Sequence, residues 1–380
     1  MHRGDPGRTN RFQHQNTLNE TLQVTWSHEL TGRTVNRPPV PVFDEQRVFV
    51  APEFGQAVAL DRQSGTPIWT DSATSGHTTP IVGDDTVVFV TDDAVRGLDK
   101  TTGNERWVHN GDVRGDPVVY DDVVFAGTTG FDIDDGSVLL RLNTDSFVAP
   151  TVGGGRIYFG SGRIVRAADI TTGTIIWQSK MLLEDEWIED GVYVYADERL
   201  YVPGVDGLVA LNAATGEELW RVAPSDWAIY RTPSVVNGTV IQPMSSRYGD
   251  MNRIVQIDAS DGTELWEYRP PGRGQSPREE LATTPGTVLV MYQNSLICLD
   301  VHSGEPVFAT QLGTVFDHNA SGYVTGPFAY DGRRLIVNGG SRISVLQPSR
   351  TRINRIDTAI AGGSLGVLAA LGAYWRSDRA

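Results

Sequence analysis

The chain has 380 residues, a net charge of −15 at pH 7 and 39% hydrophobic residues. So acidic a balance argues against nucleic-acid binding, which needs a basic face. Its single cysteine, Cys298, excludes an intrachain disulfide framework.

Residues 1–17 are polar and form a predicted N-terminal arm, without the charged-then-apolar pattern of a signal peptide. Next comes Thr21-Leu22-Gln23-Val24-Thr25-Trp26, a strand with no hairpin partner nearby. From Val40 onward two kinds of hairpin alternate. The first is two apolar runs around a polar turn, as in Thr232-Pro233-Ser234-Val235-Val236-Asn237-Gly238-Thr239-Val240. The second is a small apolar run, Asp or Asn, a few polar residues, Gly and then an aromatic. It is read at Asp61…Gly65…Trp69, Asp99…Gly103…Trp107, Asp169…Gly173…Trp177, Asn212…Gly216…Trp220, Asp258…Gly262…Trp266 and Asp300…Gly304…Phe308. The glycine suits a turn with positive φ.

Where no copy is missing, the aromatics are 38 to 46 residues apart. That period, with no helical pattern, marks a repeated sheet unit of four strands in a meander. Such a sheet cannot bury both faces alone, so neighbours must stack into a ring. The first hairpin recurs near Val40, Pro80, Pro117, Pro150, Gly191, Pro233, Thr284 and Pro327, which predicts an all-β, eight-bladed propeller of antiparallel blades over residues 18–347. A weak copy of the second hairpin is placed at Leu140-Arg141-Leu142-Asn143. The acidic run Phe131 to Ser137 is read as a solvated turn, since an EF-hand loop needs further ligands and a late Glu. The eighth blade, at Ile343-Ser344-Val345-Leu346, lacks its last strand. The orphan strand ending in Trp26 is expected to supply it and to close the ring. Trp26, Trp69, Trp107, Trp177, Trp220, Trp266 and Phe308 are assigned to docking between blades.

Function is expected on the face that gathers the blade-to-blade linkers. Trp187 and Trp227 are off the repeat phase, and with Tyr230, Arg231, His318, Asn319 and Tyr323 they are the candidate binding residues. Arg273 and Arg278 would add a cationic rim. The repeat places His28, His77, His109 and His318 in linkers of different blades, with no metal-ligand spacing. Cys298, inside a strand, is read as a buried inert thiol. The tail, 348–380, contains an uncharged stretch at 358–375 that is a candidate membrane segment of borderline length.

The phrase Asp169-Ile170-Thr171-Thr172-Gly173-Thr174-Ile175-Ile176-Trp177 resembles the tryptophan-docking repeat of quinoprotein propellers. One branch comprises PQQ-dependent alcohol dehydrogenases; another comprises non-enzymatic PQQ-like proteins such as BamB. The opening Arg3-Gly4-Asp5-Pro6-Gly7-Arg8-Thr9-Asn10 resembles PQQ-like repeat proteins of halophilic archaea. Two lysines against thirty arginines fit an acidic, salt-tolerant surface of that kind. The dehydrogenase branch implies PQQ, a Ca²⁺ held by Glu, Asn and Asp, and a vicinal cysteine pair. This chain has one cysteine, and no motif on which that ligand set can be placed. The reading taken is a monomeric, non-catalytic scaffold without a cofactor, binding a protein or peptide through its loop face. It is membrane-associated if 358–375 inserts and cytoplasmic if not. A PQQ- and Ca²⁺-dependent alcohol or sugar dehydrogenase, and a sensor of a small ligand or carbohydrate, stand as alternatives.

Overall fold

A computed structural model describes residues 22–33, 39–52, 54–72, 78–91, 93–111, 116–142, 149–161, 164–180, 192–204, 207–229, 232–246, 252–270, 281–292, 295–312 and 328–348. Eight antiparallel sheets follow one another along the chain. Blades 1 to 7 begin at Val42, Ile81, Val118, Thr151, Val194, Ser234 and Leu281 and end at Asp71, Asn110, Arg141, Lys180, Val222, Tyr268 and Gln311. Blade 8 is Phe328–Tyr330, Leu335–Asn338 and Arg342–Pro348, completed by Leu22–Glu29 from the other end of the chain. Leu22 pairs with Pro348 and Glu29 with Arg342, so the ring closes with the N-terminal strand outermost. The expected eight-bladed, strand-closed propeller is therefore the observed fold.

Each blade presents alternating side chains to its two neighbours, and the core is a set of clusters lying between sheets. One holds Tyr201, Trp220, Val235 and Ile257 of blades 5 and 6; another holds Val48, Leu60, Ile336 and Val345 of blades 1 and 8. β-branched residues dominate because they fill a pleated surface buried on both sides.

The aromatic of the repeat has a second task besides filling space. Trp26, Trp69, Trp107, Trp177, Trp220 and Trp266 each donate Nε1–H across the junction to a backbone carbonyl of the next blade. The acceptors are Arg62, Lys100, Ile133, Ala213, Ala259 and Val301, at 2.9 to 3.1 Å. Every acceptor is the residue just after the Asp or Asn of the repeat. The indole face lies over the repeat glycine: a Cβ on Gly216 would stand 2.6 Å from Trp177, and φ there is +76°. The position needs glycine on both counts.

The structure corrects the reading of blade 3. Its second hairpin turns at Asp132–Gly136, not at Leu140–Asn143: Gly136 N–H donates to Asp132 O, and Phe131 pairs with Val138. Gly136 lies against Trp107, as the repeat requires. The weakness of this copy comes from its outer strand, where Leu140 stands in the tryptophan position and meets Gly173 together with Leu142. Blade 6 also departs from the four-strand expectation, because Trp227–Ala228 adds a short strand against Ser245–Ser246.

Both hairpin turns of a blade lie on one face of the ring. The backbone joins them there, as in Ala213 N–H to Glu198 O and Ala259 N–H to Gly238 O. Linkers and second-to-third-strand loops must then emerge on the other face, the loop face. On the turn face the repeat Asp side chains cap their own turns. Asp99 accepts from the Thr101 and Thr102 amides, and Asp61 from those of Gln63 and Ser64. These bonds hold the carboxyls of Asp61, Asp99, Asp169 and Asp258 below the usual range. The folded pKa lies below the unfolded one, so the unfolded chain binds more protons between them. The stabilisation is complete above the unfolded value near 3.8 and fades as pH falls through the folded values. Asp99→Asn keeps the acceptor without the charge, as Asn212 does in blade 5. A melting series below pH 5 should therefore show a shallower acid slope for Asp99→Asn than for the parent; equal slopes would remove the turns from the explanation.

Candidate functional site

Of the candidate binding residues, the structure describes Trp227. Trp187, Tyr230, Arg231, His318, Asn319 and Tyr323 lie outside the described residues, as do Arg273 and Arg278. Trp227 sits in the linker from blade 5 to blade 6, hence on the loop face. Its strand hydrogen-bonds to the far end of Thr239–Ser246, which puts it beside the second-to-third-strand loop of blade 6. The indole is partly buried and packs on the cluster of Ile229, Met244 and Val255.

Two arginines approach the ring. The guanidinium carbon of Arg253 is 4.8 Å from the centroid and that of Arg269 is 5.9 Å from it. Arg253 also meets Glu267 at 3.1 Å and Glu264 at 3.3 Å, and Arg269 meets Glu267 at 2.9 Å. Cation–π contact and ion pairing thus fix the indole in one place. The phase of the repeat identifies Trp227 as an extra aromatic but gives no sign of these cations. Arg253 comes from a strand of blade 6 and Arg269 from the end of the next, and only the blade's register brings them to the linker.

The innermost strands, which surround the ring axis, are packed and hydrogen-bonded to one another. Thr151 Oγ1 donates to Tyr193 O at 2.6 Å, between blades 4 and 5. Ser234 Oγ and Thr283 Oγ1 share a bond of 2.8 Å between blades 6 and 7. On the second strand of blade 8, Asn338 Nδ2 donates to Pro39 O, just before blade 1, at 2.9 Å. The residues carrying these bonds, and Val42, Val118, Val152, Val194 and Ala329 on the innermost strands, are buried.

Among the described residues no three His, Cys, Asp or Glu side chains come together as a metal site. A Ca²⁺-bound quinone needs hard oxygen ligands around the metal, and no cluster of three carboxylates is gathered among the described residues to supply them. Cys298 is buried in blade 7, and burial pushes its thiol up to about 12, a proton-bound and unreactive state. Two histidines are placed differently from expectation. His28 and His109 lie within the outer strands Leu22–Glu29 and Glu105–Asn110 rather than in linkers. Burial lowers the His28 pKa against the opposing charge of Glu29, and the His109 ring packs 4.8 Å from Phe131. The other two, His77 and His318, lie outside the described residues.

Tryptophan-docked blades and a strand-closed ring define an eight-bladed propeller of the PQQ-like class. The family model described as outer membrane protein assembly factor BamB matches residues 17–164, 160–282 and 250–353, and the chain belongs to that family. Among solved structures it is similar to BamB from Moraxella catarrhalis, with 18% identity, a TM-score of 0.61, and coverage of 86% of this chain and 100% of that one. It is similar in fold to the quinohemoprotein alcohol dehydrogenase of Comamonas testosteroni, with 15% identity, a TM-score of 0.69, and coverage of 90% and 79%. At these identities the likeness shows the fold alone. A curated relative, the serine/threonine-protein kinase AfsK of Streptomyces coelicolor, is 28% identical over 174 residues, which are 46% of this chain and 20% of the kinase. The chain thus spans about a fifth of the length of that relative. Among the described residues no helix is long and apolar enough to cross a membrane; residues 358–375 are outside them.

Proposed function

We propose that this propeller is a non-catalytic scaffold that holds a protein or peptide partner on its loop face. The observation that carries the reading is the packing of the innermost strands against one another. Thr151, Ser234 and Thr283, on those strands, direct their polar groups at neighbouring blades, which supports recognition by the loops. A fixed indole on that face, Trp227 between Arg253 and Arg269, is the kind of rigid aromatic that anchors interfaces. Membership in a family described as an outer membrane assembly factor supports a partner that is itself a protein, at or near a membrane. The stretch 358–375 is the part of this chain proposed to meet the membrane.

Two measurements test the reading. Titration with PQQ and Ca²⁺, followed by tryptophan fluorescence, should give no saturable change; one-to-one quenching would revive the dehydrogenase. A photo-crosslinking residue at position 227 should capture a protein in the native cell, and one at exposed Asp135 on the turn face should not. Equal capture at both positions would dismiss the loop face.

A further inference from the structure

A propeller exposes the free edge of each blade's outermost strand, and such edges invite pairing with other chains unless something blocks it. Most outer strands here carry a block. Pro67–Asp71 and Pro306–Gln311 begin with proline. Glu105–Asn110, Glu218–Val222 and Glu264–Tyr268 carry glutamate two residues before the docking tryptophan. Val138–Arg141 has only four residues, and Leu22–Glu29 ends on Glu29, which is paired with Arg342 at 2.8 Å. Blade 4 has neither the proline nor the glutamate nor the short length, and the one charge on its outer strand, Lys180, stands at the far end from Ile175. Its outer strand, Ile175–Lys180, is six residues long and holds neither proline nor an acid, and Ile175 and Ile176 are 46% and 45% exposed.

The glutamates that blade 4 lacks are used elsewhere. Glu105 pairs with Arg96 at 2.5 Å, Glu218 with Arg221 at 2.6 Å and Glu264 with Arg253 at 3.3 Å. Arg166 of blade 4 holds the register position of Arg96. Each precedes the residue that faces the docking tryptophan, Ala167 opposite Trp177 and Gly97 opposite Trp107. Where blade 2 has Glu105, blade 4 has Ile175. Among the described residues no carboxylate pairs with Arg166, which is partly exposed. Blade 4 is also locally basic in an acidic chain: between residues 151 and 180 stand Arg156, Arg163, Arg166 and Lys180 against Asp169 alone.

We propose that blade 4 accepts a fifth strand, an extended acidic and apolar segment of a partner protein. The segment pairs with the free edge of Ile175–Lys180. It brings to Arg166 the carboxylate that other blades carry in their own strands, and it covers Ile175 and Ile176. Backbone pairing supplies the affinity and the alternating side chains the selectivity. This deepens the scaffold reading but uses the rim rather than the loop face, so each can fail while the other stands.

The probe is a labelled octapeptide of alternating Glu and Val, with a Lys/Val octapeptide as control, measured by fluorescence anisotropy on the full chain. The acidic peptide should bind at least about tenfold tighter than the basic one. Hydrogen exchange should slow at the amides of residues 175–180 when the acidic peptide is added. Ile175→Glu installs the residue that blades 2, 5 and 6 carry, so it should fold, pair with Arg166 and abolish binding; Arg166→Glu should weaken binding about tenfold. Undiminished binding by Ile175→Glu would overturn the proposal. So would equal affinity for the two peptides, protection elsewhere on the ring, or full protection of these amides before any peptide is added.

Discussion

Deletion of residues 1–30 is expected to abolish cooperative folding of the whole ring. The lost strand, Leu22–Glu29, carries the full ladder that covers Arg342–Pro348. It also carries Trp26, whose ring lies over Gly65 and whose Nε1 bonds to Arg62 O in blade 1. Loss of a docking tryptophan alone costs about 3–5 kcal/mol. The strand's backbone bonds come in addition, against a total stability of order 5–15 kcal/mol for a domain. The contacts left between blades 8 and 1 are the apolar cluster of Val48, Leu60, Ile336 and Val345, the bond from Asn338 to Pro39 O, the ion pair of Arg62 with Asp331 and the bond from Arg334 to Arg62 O, without the strand and indole that cover them from outside. The exposed edge of Arg342–Pro348 would then be free to pair with other chains. Expected results are aggregation on purification and loss of a single melting transition. A synthetic peptide of residues 20–31 added during refolding should restore part of the soluble ring. A truncated chain that melts cooperatively within a few degrees of the parent would show that the closing strand is dispensable.

The fold was legible because its determinants are local and repeated. Asp-x-x-x-Gly, or Asn in its place, dictates a turn, the aromatic four residues on marks the outer strand, and six copies fix the phase. The closing strand was legible for the same reason, since Trp26 ends a strand that has no hairpin of its own. Blade 3 misled because the docking residue is the strongest letter in the repeat. With Leu140 in its place, the run Phe131 to Ser137 still reads as a turn, but the second hairpin is assigned to the next apolar pair, one strand too late. The candidate site was legible only as an anomaly of phase. Trp227 is the aromatic that the repeat does not require, but its partners Arg253 and Arg269 belong to strands whose register sets them beside it. The bare rim of blade 4 was equally hidden. A missing glutamate is visible only when Ile175 is superposed on Glu105 through the sheet register, and Arg166 on Arg96.

Trp220→Ala is expected to destabilise the ring by about 3–5 kcal/mol, the range for truncating a large buried aromatic. Trp220 is 7% exposed, tilts against Tyr201 at 5.9 Å between ring centroids, and covers Gly262 of the next blade. Truncation opens a cavity between blades 5 and 6 and leaves Ala259 O without its donor. Trp220→Phe separates the two effects. It keeps most of the apolar volume and loses the Nε1 bond, a net term of about 1 kcal/mol. The chain offers its own comparison, because Phe308 occupies the same repeat position in blade 7 and packs on the cluster of Leu335 and Leu346. Phenylalanine at position 220 should therefore fold with a modest loss, and alanine with a severe one. Because each blade contacts only its neighbours, the damage should start locally. Hydrogen exchange in Trp220→Ala should accelerate first in Glu218–Val222 and Ser234–Val236 and leave blades 1 and 2 protected. Uniform acceleration around the ring would instead mean that the eight blades unfold as one cooperative unit, with docking energy shared by all junctions.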